Sequence, residues 1–306
     1  MSVRTIAGVA VAGALLVSLT ACSTPSADAA CTPDEASKLV TATGEFGANP
    51  EVEFPTPLVA ETTGVSTLIE GDGDPVPAGG SVVGTVSIYI GESGEALISG
   101  GPLVGVPILF PTKDFLFPFT DSLQCGSVGS RIVTTGSAAD ILSSTAAEED
   151  YQLDPEQTLV VVTDIQSAYL GRANGADQLA QSGMPAIALA PSGQPGFTFP
   201  DGPAPTEFRT DVLKRGSGAE VEADDAVVLH FSAMEWGAET LLNSTWVGNN
   251  GIPVIVPLEG QDTGQSLLTA QVREAMVGQT VGSQVLIASP GDQTLVYVID
   301  VLGIAE

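Results

Sequence analysis

The stretch QTLVYVIDV at residues 293–301 has a near copy, QTLVVVTDI, at residues 157–165. Each is a run of β-branched and apolar residues and reads as a strand. The neighbourhood repeats as well. Working outward, VGSQVL at 281–286 matches VGSRIV at 128–133, and PVIVP at 253–257 matches PILFP at 107–111. LKRGSG at 213–218 matches LIEGDG at 68–73, and PGFTFP at 195–200 matches PEVEFP at 50–55. An offset of 145 residues runs without a gap from Leu68/Leu213 through Val76/Val221 to Leu97/Leu242. The blocks keep one order in both halves. The protein therefore holds two copies of one domain, expected at residues 45–170 and 195–306. Residues 171–194, rich in Gly, Ala and Gln, read as a linker.

The second copy is the easier to read. Phe208–Lys214 and Ala226–Trp236 are expected strands, with Val227, Leu229 and Phe231 alternating against Val228, His230 and Ser232. Gly216-Ser217-Gly218 and the pair Asp224, Asp225 mark turns. Pro253–Leu258 is a short apolar strand. From Ser266 to Met276, Leu267, Leu268, Val272, Ala275 and Met276 share one helical face, and Gly278 suits the end of that helix. Gln284–Ser289 and Thr294–Leu302 close the copy as two more strands. The expected class is α+β: a mostly antiparallel sheet with one short helix across it.

The N-terminus sets an expected compartment. Arg4 precedes an apolar run from Ile6 to Val17, followed by LTAC at 19–22. A charged start, an apolar stretch and small residues before a cut site make a secretory signal over residues 1–21. The run is short for a bilayer span. The LTAC tetrad resembles the lipobox of bacterial lipoproteins, which implies lipid on Cys22 and a place on the outer face of the cell membrane. Residues 22–44, rich in Ser, Thr, Ala and Asp, read as a tether. The remaining cysteines, Cys31 and Cys125, form an even pair outside the cytoplasm, for which a disulfide is the simplest reading. Two free thiols, or bridges to partners, are the alternatives. The sequence has 37 acidic residues against 9 basic ones, a net charge of −28, which excludes nucleic acid as a partner and leaves lipid, not a basic patch, to hold the membrane.

A strand, a Gly-x-Gly turn, a strand with a central aromatic, a short helix, VGS, and the closing TLVYVIDVLGI together resemble FKBP-type peptidyl-prolyl isomerases. With the lipobox and the repeat, the whole looks like the tandem-FKBP lipoproteins of actinobacteria. The resemblance implies two tandem FKBP-like domains, each an antiparallel sheet curled around a short helix. It implies a proline-containing segment of an exported protein as partner, with no cofactor and no metal. The family's pocket positions fall on Phe231, the pair Leu242-Asn243, Val254, Val256, the pair Leu268-Thr269, Val272 and Tyr297. Phe231 replaces a tyrosine and so lacks its hydroxyl, Asn243 replaces an aspartate, and Val272 replaces a tryptophan. In the first copy the same positions are Val86, Leu97-Ile98 and Phe119, beside Phe110, Phe115 and Phe117. There Pro118 would interrupt the helix. A long loop, Thr134–Glu156, is expected as a lid, with Glu148, Glu149 and Asp150 solvated on it.

Each apolar pocket position can serve equally as plain core, and Asn243 as a strand-end residue. His230, the only histidine, alternates away from Phe231 toward the surface or back of the sheet. No second His or Cys stands at metal-ligand spacing, and Asp72 and Asp74 read as a turn. No catalytic acid, base or nucleophile is assigned. Three functions stay open: isomerisation of X–Pro bonds, binding of such segments without catalysis, or a lipoprotein whose scaffold only carries an interaction surface.

Overall fold

The computed structural model describes residues 31–97, 108–113, 117–247, 250–259 and 268–305. The leader, Cys22, Ile98 and Phe115 lie outside these residues, as do the first two residues of the expected helix. The protein is built mostly of antiparallel sheet with few and short helices.

In the first half, β1 (Thr41–Thr43) and β2 (Glu51–Glu53) form a hairpin. A five-stranded sheet follows, made of β3 (Gly64–Ile69), β4 (Ser81–Ile90), β5 (Ile108–Pro111), β6 (Arg131–Ser137) and β7 (Thr158–Tyr169) in the order β3-β6-β7-β4-β5. In the second half, β8 (Ala176–Asp177) leads to a second hairpin of β9 (Ala186–Leu189) and β10 (Pro195–Thr198). The second large sheet holds β8 together with β11 (Arg209–Arg215), β12 (Ala226–Glu235), β13 (Leu241–Ser244), β14 (Val254–Pro257), β15 (Gln284–Ser289) and β16 (Leu295–Ala305). Its order is β13-β12-β16-β15-β11-β8, with β14 also pairing β12.

The repeat extends to the irregularities of the ladders. The β4–β7 register slips between Val83 and Gly84, and the β12–β16 register slips at the equivalent Val228 and Leu229. The β3–β6 slip at Thr67/Ile69 recurs at Val212/Lys214 between β11 and β15. The glycines of the repeated turns have a steric reason. A Cβ on Gly71 would overlap the backbone of Val128 and Ser130, and one on Gly216 that of Val281 and Ser283.

Both faces of the central strands are covered, so β12 is buried along nearly its whole length. On the front of the second sheet, Val227, Leu229, Phe231 and Ala233 of β12 meet Tyr297, Ile299 and Val301 of β16. The helix α2 (Ala270–Glu274) lies over them through Val272, and the turn after it through Met276. It is shorter than its apolar spacing predicts: Thr269 caps it by accepting from Val272 N–H, and Ala275 ends it. On the back, Leu286, Ala288, Val296 and Val298 pack under Met184, Ile187, Phe197 and Phe199.

The covers of the two sheets depart from the sequence reading at two boundaries. Residues 171–194 are read from sequence as a linker, yet Ala173 and Met184 are buried and β9 pairs with β10 over the sheet. Residues 22–44 are read as a tether, yet from Cys31 onward they fold: Ala36 and Val40 are buried, and β1 pairs with β2. Ala36, Val40, Ala42, Val52, Phe54 and Leu58 cover Val133, Val160 and Val162. A small-residue composition hides these segments because a hairpin needs only a few apolar side chains to seal a sheet. A disulfide joins Cys31 to Cys125, the last residue of a 3-10 helix at Pro118–Cys125.

The two sheets touch through Tyr169 at the end of β7. It clusters with Val83 and Leu109 of the first half and with Val228 and Leu302 of the second. A Cβ on Gly303 would overlap its ring. Leu170 N–H donates to the Leu302 carbonyl at 3.2 Å.

Candidate functional site

The antiparallel register decides which residues meet at the front of the second sheet. Directly paired residues point to the same face. Phe231 pairs with Ile299, and Tyr297 lies between Ala233 and Ile287. Val254 pairs with Leu229 and Val256 with Val227, which turns both valines toward α2. Phe231, Leu268, Val272 and Tyr297 form one cluster, against which Val254, Val256 and Phe208 pack. Six of the nine positions proposed from sequence thus come together.

The other three differ. Thr269 is exposed and its hydroxyl is spent on capping α2. Leu242 falls where the β12–β13 register shifts and is 56% exposed. Asn243 pairs with Ala233, so it stands on the front face, exposed at its edge.

Within the cluster, depth varies. Val272 and Tyr297 have no exposed surface, Leu268 and Phe231 very little, and Val254 and Val256 are partly buried. The floor is therefore packed, and the accessible apolar surface of the cluster is that of Val254 and Val256. Leu242 is exposed beside Asn243 at the sheet edge, and Ile255, paired with Val228, faces the back. Burial pushes the Tyr297 phenol above its ordinary pKa. A site of this kind can desolvate an amide and hold a ring, but it offers no proton-transfer group.

In the first sheet the front is richer in rings. Phe119 is buried, packing edge-on to Phe110 and stacked with Phe117, with ring centroids 6.4 Å apart in each case. Val86 and Leu97 pack on the same cluster. Pro118 does not break a helix here; it begins the 3-10 helix that carries Phe119.

The expected lid proves to be a packed cap. β6 runs on to Ser137, and a short helix α1 (Ala138–Leu142) and a π-helical turn at Ala146–Asp150 follow. Ala138, Ile141, Leu142 and Ala147 are fully buried over Ile88, Phe119, Leu159 and Val161. Glu148, Glu149 and Asp150 remain exposed, as expected. The sequence reading missed Tyr151, which follows the acidic run and packs half-buried on this cluster. Burial, and then the charge of Asp150, raise its pKa. The available signal is its place as the only tyrosine of that loop.

Behind each sheet lies a buried polar row. Asp300 pairs with His230 on one side and Gln284 on the other. Its oxygens accept from Gln284 Nε2 at 2.7 Å and from Ala173 N–H at 2.8 Å. Burial raises the Asp300 pKa to about 6 against those hydrogen bonds. His230 is buried, not at the surface: Nδ1 lies 2.8 Å from Thr245 Oγ1, and its ring stacks on Trp246 at 4.0 Å. Burial lowers its pKa to about 4. The first copy replaces the row with Thr85, Asp164 and Arg131. No group of three metal-ligating side chains occurs among the described residues.

No family model matches this protein, and no curated protein matches it. Among solved structures, it is similar to the three FKBP domains of wheat FKBP73. That likeness has 13% identity over 79% of this chain and 94% of that one, with a TM-score of 0.34. A peptidyl-prolyl cis-trans isomerase of Pseudomonas syringae pv. tomato is similar at 18% identity over 36% of this chain and 77% of its own, with a TM-score of 0.29. FkpA from Escherichia coli is similar at 15% identity over 34% of this chain and 47% of its own, with a TM-score of 0.27.

Proposed function

We propose that this protein is a lipoprotein on the outer face of the cell membrane, anchored through Cys22, whose two FKBP-like domains bind X–Pro segments of exported proteins and speed their cis–trans isomerisation. The observation that carries this reading is the front cluster of the second sheet. A short helix and its strands gather Phe231, Val254, Val256, Leu268, Val272 and Tyr297 into one apolar body, with Leu242 and Asn243 at its open edge.

The chemistry asks for little more. Rotation about an X–Pro amide faces a barrier of roughly 18–20 kcal/mol because the C–N bond has partial double-bond character. Moving the amide out of water weakens the charge separation that keeps it planar, so an apolar surface favours the twisted state. The proline ring rests on Val254, Val256 and Leu242, and the Asn243 amide is placed to hydrogen-bond the segment's backbone.

Binding without catalysis is the second reading. One observation favours it: Val272 and Tyr297 have no exposed surface, so a ring sits on the rim and not within a deep pocket. Exchange spectroscopy on an X–Pro peptide with residues 23–306 separates the two. Faster cis–trans exchange, raised further by Phe231→Tyr with Asn243→Asp, supports isomerisation. Binding with unchanged exchange supports the second reading, and no binding removes both. Anchoring is tested separately: Cys22→Ala should release the protein from membranes.

A further inference from the structure

Two arginines are deeply buried among the described residues, and they differ in what they meet. In the first copy, Arg131 turns the Nε/Nη2 edge of its guanidinium to Asp164, reaching the two carboxylate oxygens at 2.6 and 2.8 Å. In the second, Arg273 on α2 is 8% exposed, and its Nε and Nη2 have no hydrogen-bond partner among the described residues. Its remaining nitrogen, Nη1, makes one long contact, 3.4 Å, to the Pro257 carbonyl. The two unpaired atoms form the side-on edge of the guanidinium, whose parallel N–H groups fit a carboxylate bidentately.

An unpaired buried charge is among the costlier features a fold can carry. The cost is notable in a sequence with 9 basic residues and 37 acidic ones, where a carboxylate partner was easily available. The location is specific too. Arg273 bridges α2, which carries Val272, and the end of β14, which carries Val254 and Val256. Its own backbone N–H donates to the Thr269 carbonyl, next to Leu268. Arg273 therefore sits between the helix and the strand end that flank the apolar cluster of the second sheet, with its unpaired edge covered.

We propose that Arg273 is the carboxylate receptor of this site, so that the second copy prefers X–Pro segments bearing a carboxylate close to the proline. The inference rests on the reading of that cluster as a prolyl site. The carboxylate can come from an Asp or Glu of the segment or from a free C-terminus; both present the same planar pair of oxygens. Binding brings the anion to the guanidinium and excludes water from the pair, where a charge-assisted bond is strongest.

Three short proline peptides test it on residues 23–306. One has a free C-terminal carboxylate, one is its C-terminal amide, and one is the amide with a glutamate two residues after the proline. At least one acidic peptide is expected to bind about tenfold tighter than the neutral amide. Which one does so identifies the source of the carboxylate. Arg273→Met is expected to erase the difference. Equal binding of all three, or an advantage that survives Arg273→Met, overturns the inference while leaving the prolyl site standing. Failure of all three to bind removes the site reading and the inference together.

A second measurement needs no ligand. If the edge is empty in the free protein, Arg273→Met keeps or raises Tm, because it removes a buried unpaired charge. A fall of about 5 °C or more means that the protein itself supplies a partner, and overturns the inference.

Discussion

Arg131 and Asp164 stand directly opposite one another on β6 and β7, and neither side chain is more than 2% exposed. Arg131 also donates to the carbonyls of Ala42, Gly44 and Glu45, while Gly47 N–H donates to Asp164 at 2.6 Å. The pair thus fastens the N-terminal hairpin region to the back of the first sheet. Its hydrogen bond to Asp164 holds the Arg131 pKa above the ordinary value.

Removing one partner leaves the other charged and buried. Arg131→Met should cost about 3–5 kcal/mol of stability. The double change Arg131→Met with Asp164→Leu should recover most of it, since the uncompensated charge goes too. Urea unfolding of the three proteins measures this. A loss under about 1 kcal/mol for Arg131→Met would show that the pair is not buried as described.

The back row of the second copy predicts a pH signature. The Asp300 pKa is raised to about 6, so the folded state binds the proton more tightly than the unfolded one. Its contribution to stability therefore grows as pH falls from about 6 to about 4, by roughly 3 kcal/mol. The His230 pKa is lowered to about 4, so the folded state binds that proton more weakly. Its contribution is lost as pH falls from about 6.5 to about 4, by roughly 3 kcal/mol. The two terms oppose each other in the same window. Relative to the parent protein, Asp300→Asn should therefore lose stability between about pH 7 and about pH 4.5, and His230→Gln should gain it. Denaturant midpoints at the two pH values check both signs.

The disulfide closes a long loop, with a sequence separation of 94 between Cys31 and Cys125. Loop-closure entropy puts its contribution at about 4–5 kcal/mol. Cys31→Ser with Cys125→Ser should lower the stability of the first half while sparing the second, which calorimetry would resolve as a separated transition.

How much of this the sequence discloses depends on how the information is carried. The repeat is legible because strand pairing repeats residue types: QTLVYVIDV and QTLVVVTDI fall on β16 and β7, down to matching register slips. Phe231 and Val272 are legible as apolar-face residues through alternation and helical spacing, while Tyr297, and the grouping of all three, come from the resemblance; the three share one cluster. Three things are hidden. The hairpins at 41–53 and 186–198 are short and rich in small and polar residues, and what marks them is the surface they cover. Tyr151 requires knowing that its loop packs closed. That the Arg273 edge meets no partner among the described residues cannot be read from a sequence, because a positive charge among 37 acidic residues looks certain to be paired.

The central claim is that the front faces of these sheets receive X–Pro segments and lower the barrier to their rotation. Proline-limited refolding of an unrelated protein tests it most directly, with residues 23–306 added at micromolar concentration and proteases absent. The account predicts that the slow refolding phase accelerates, that Leu242→Glu with Val256→Glu reduces the acceleration, and that Phe231→Tyr with Asn243→Asp increases it. A slow phase unchanged by the parent protein and by the Phe231→Tyr, Asn243→Asp variant would contradict it.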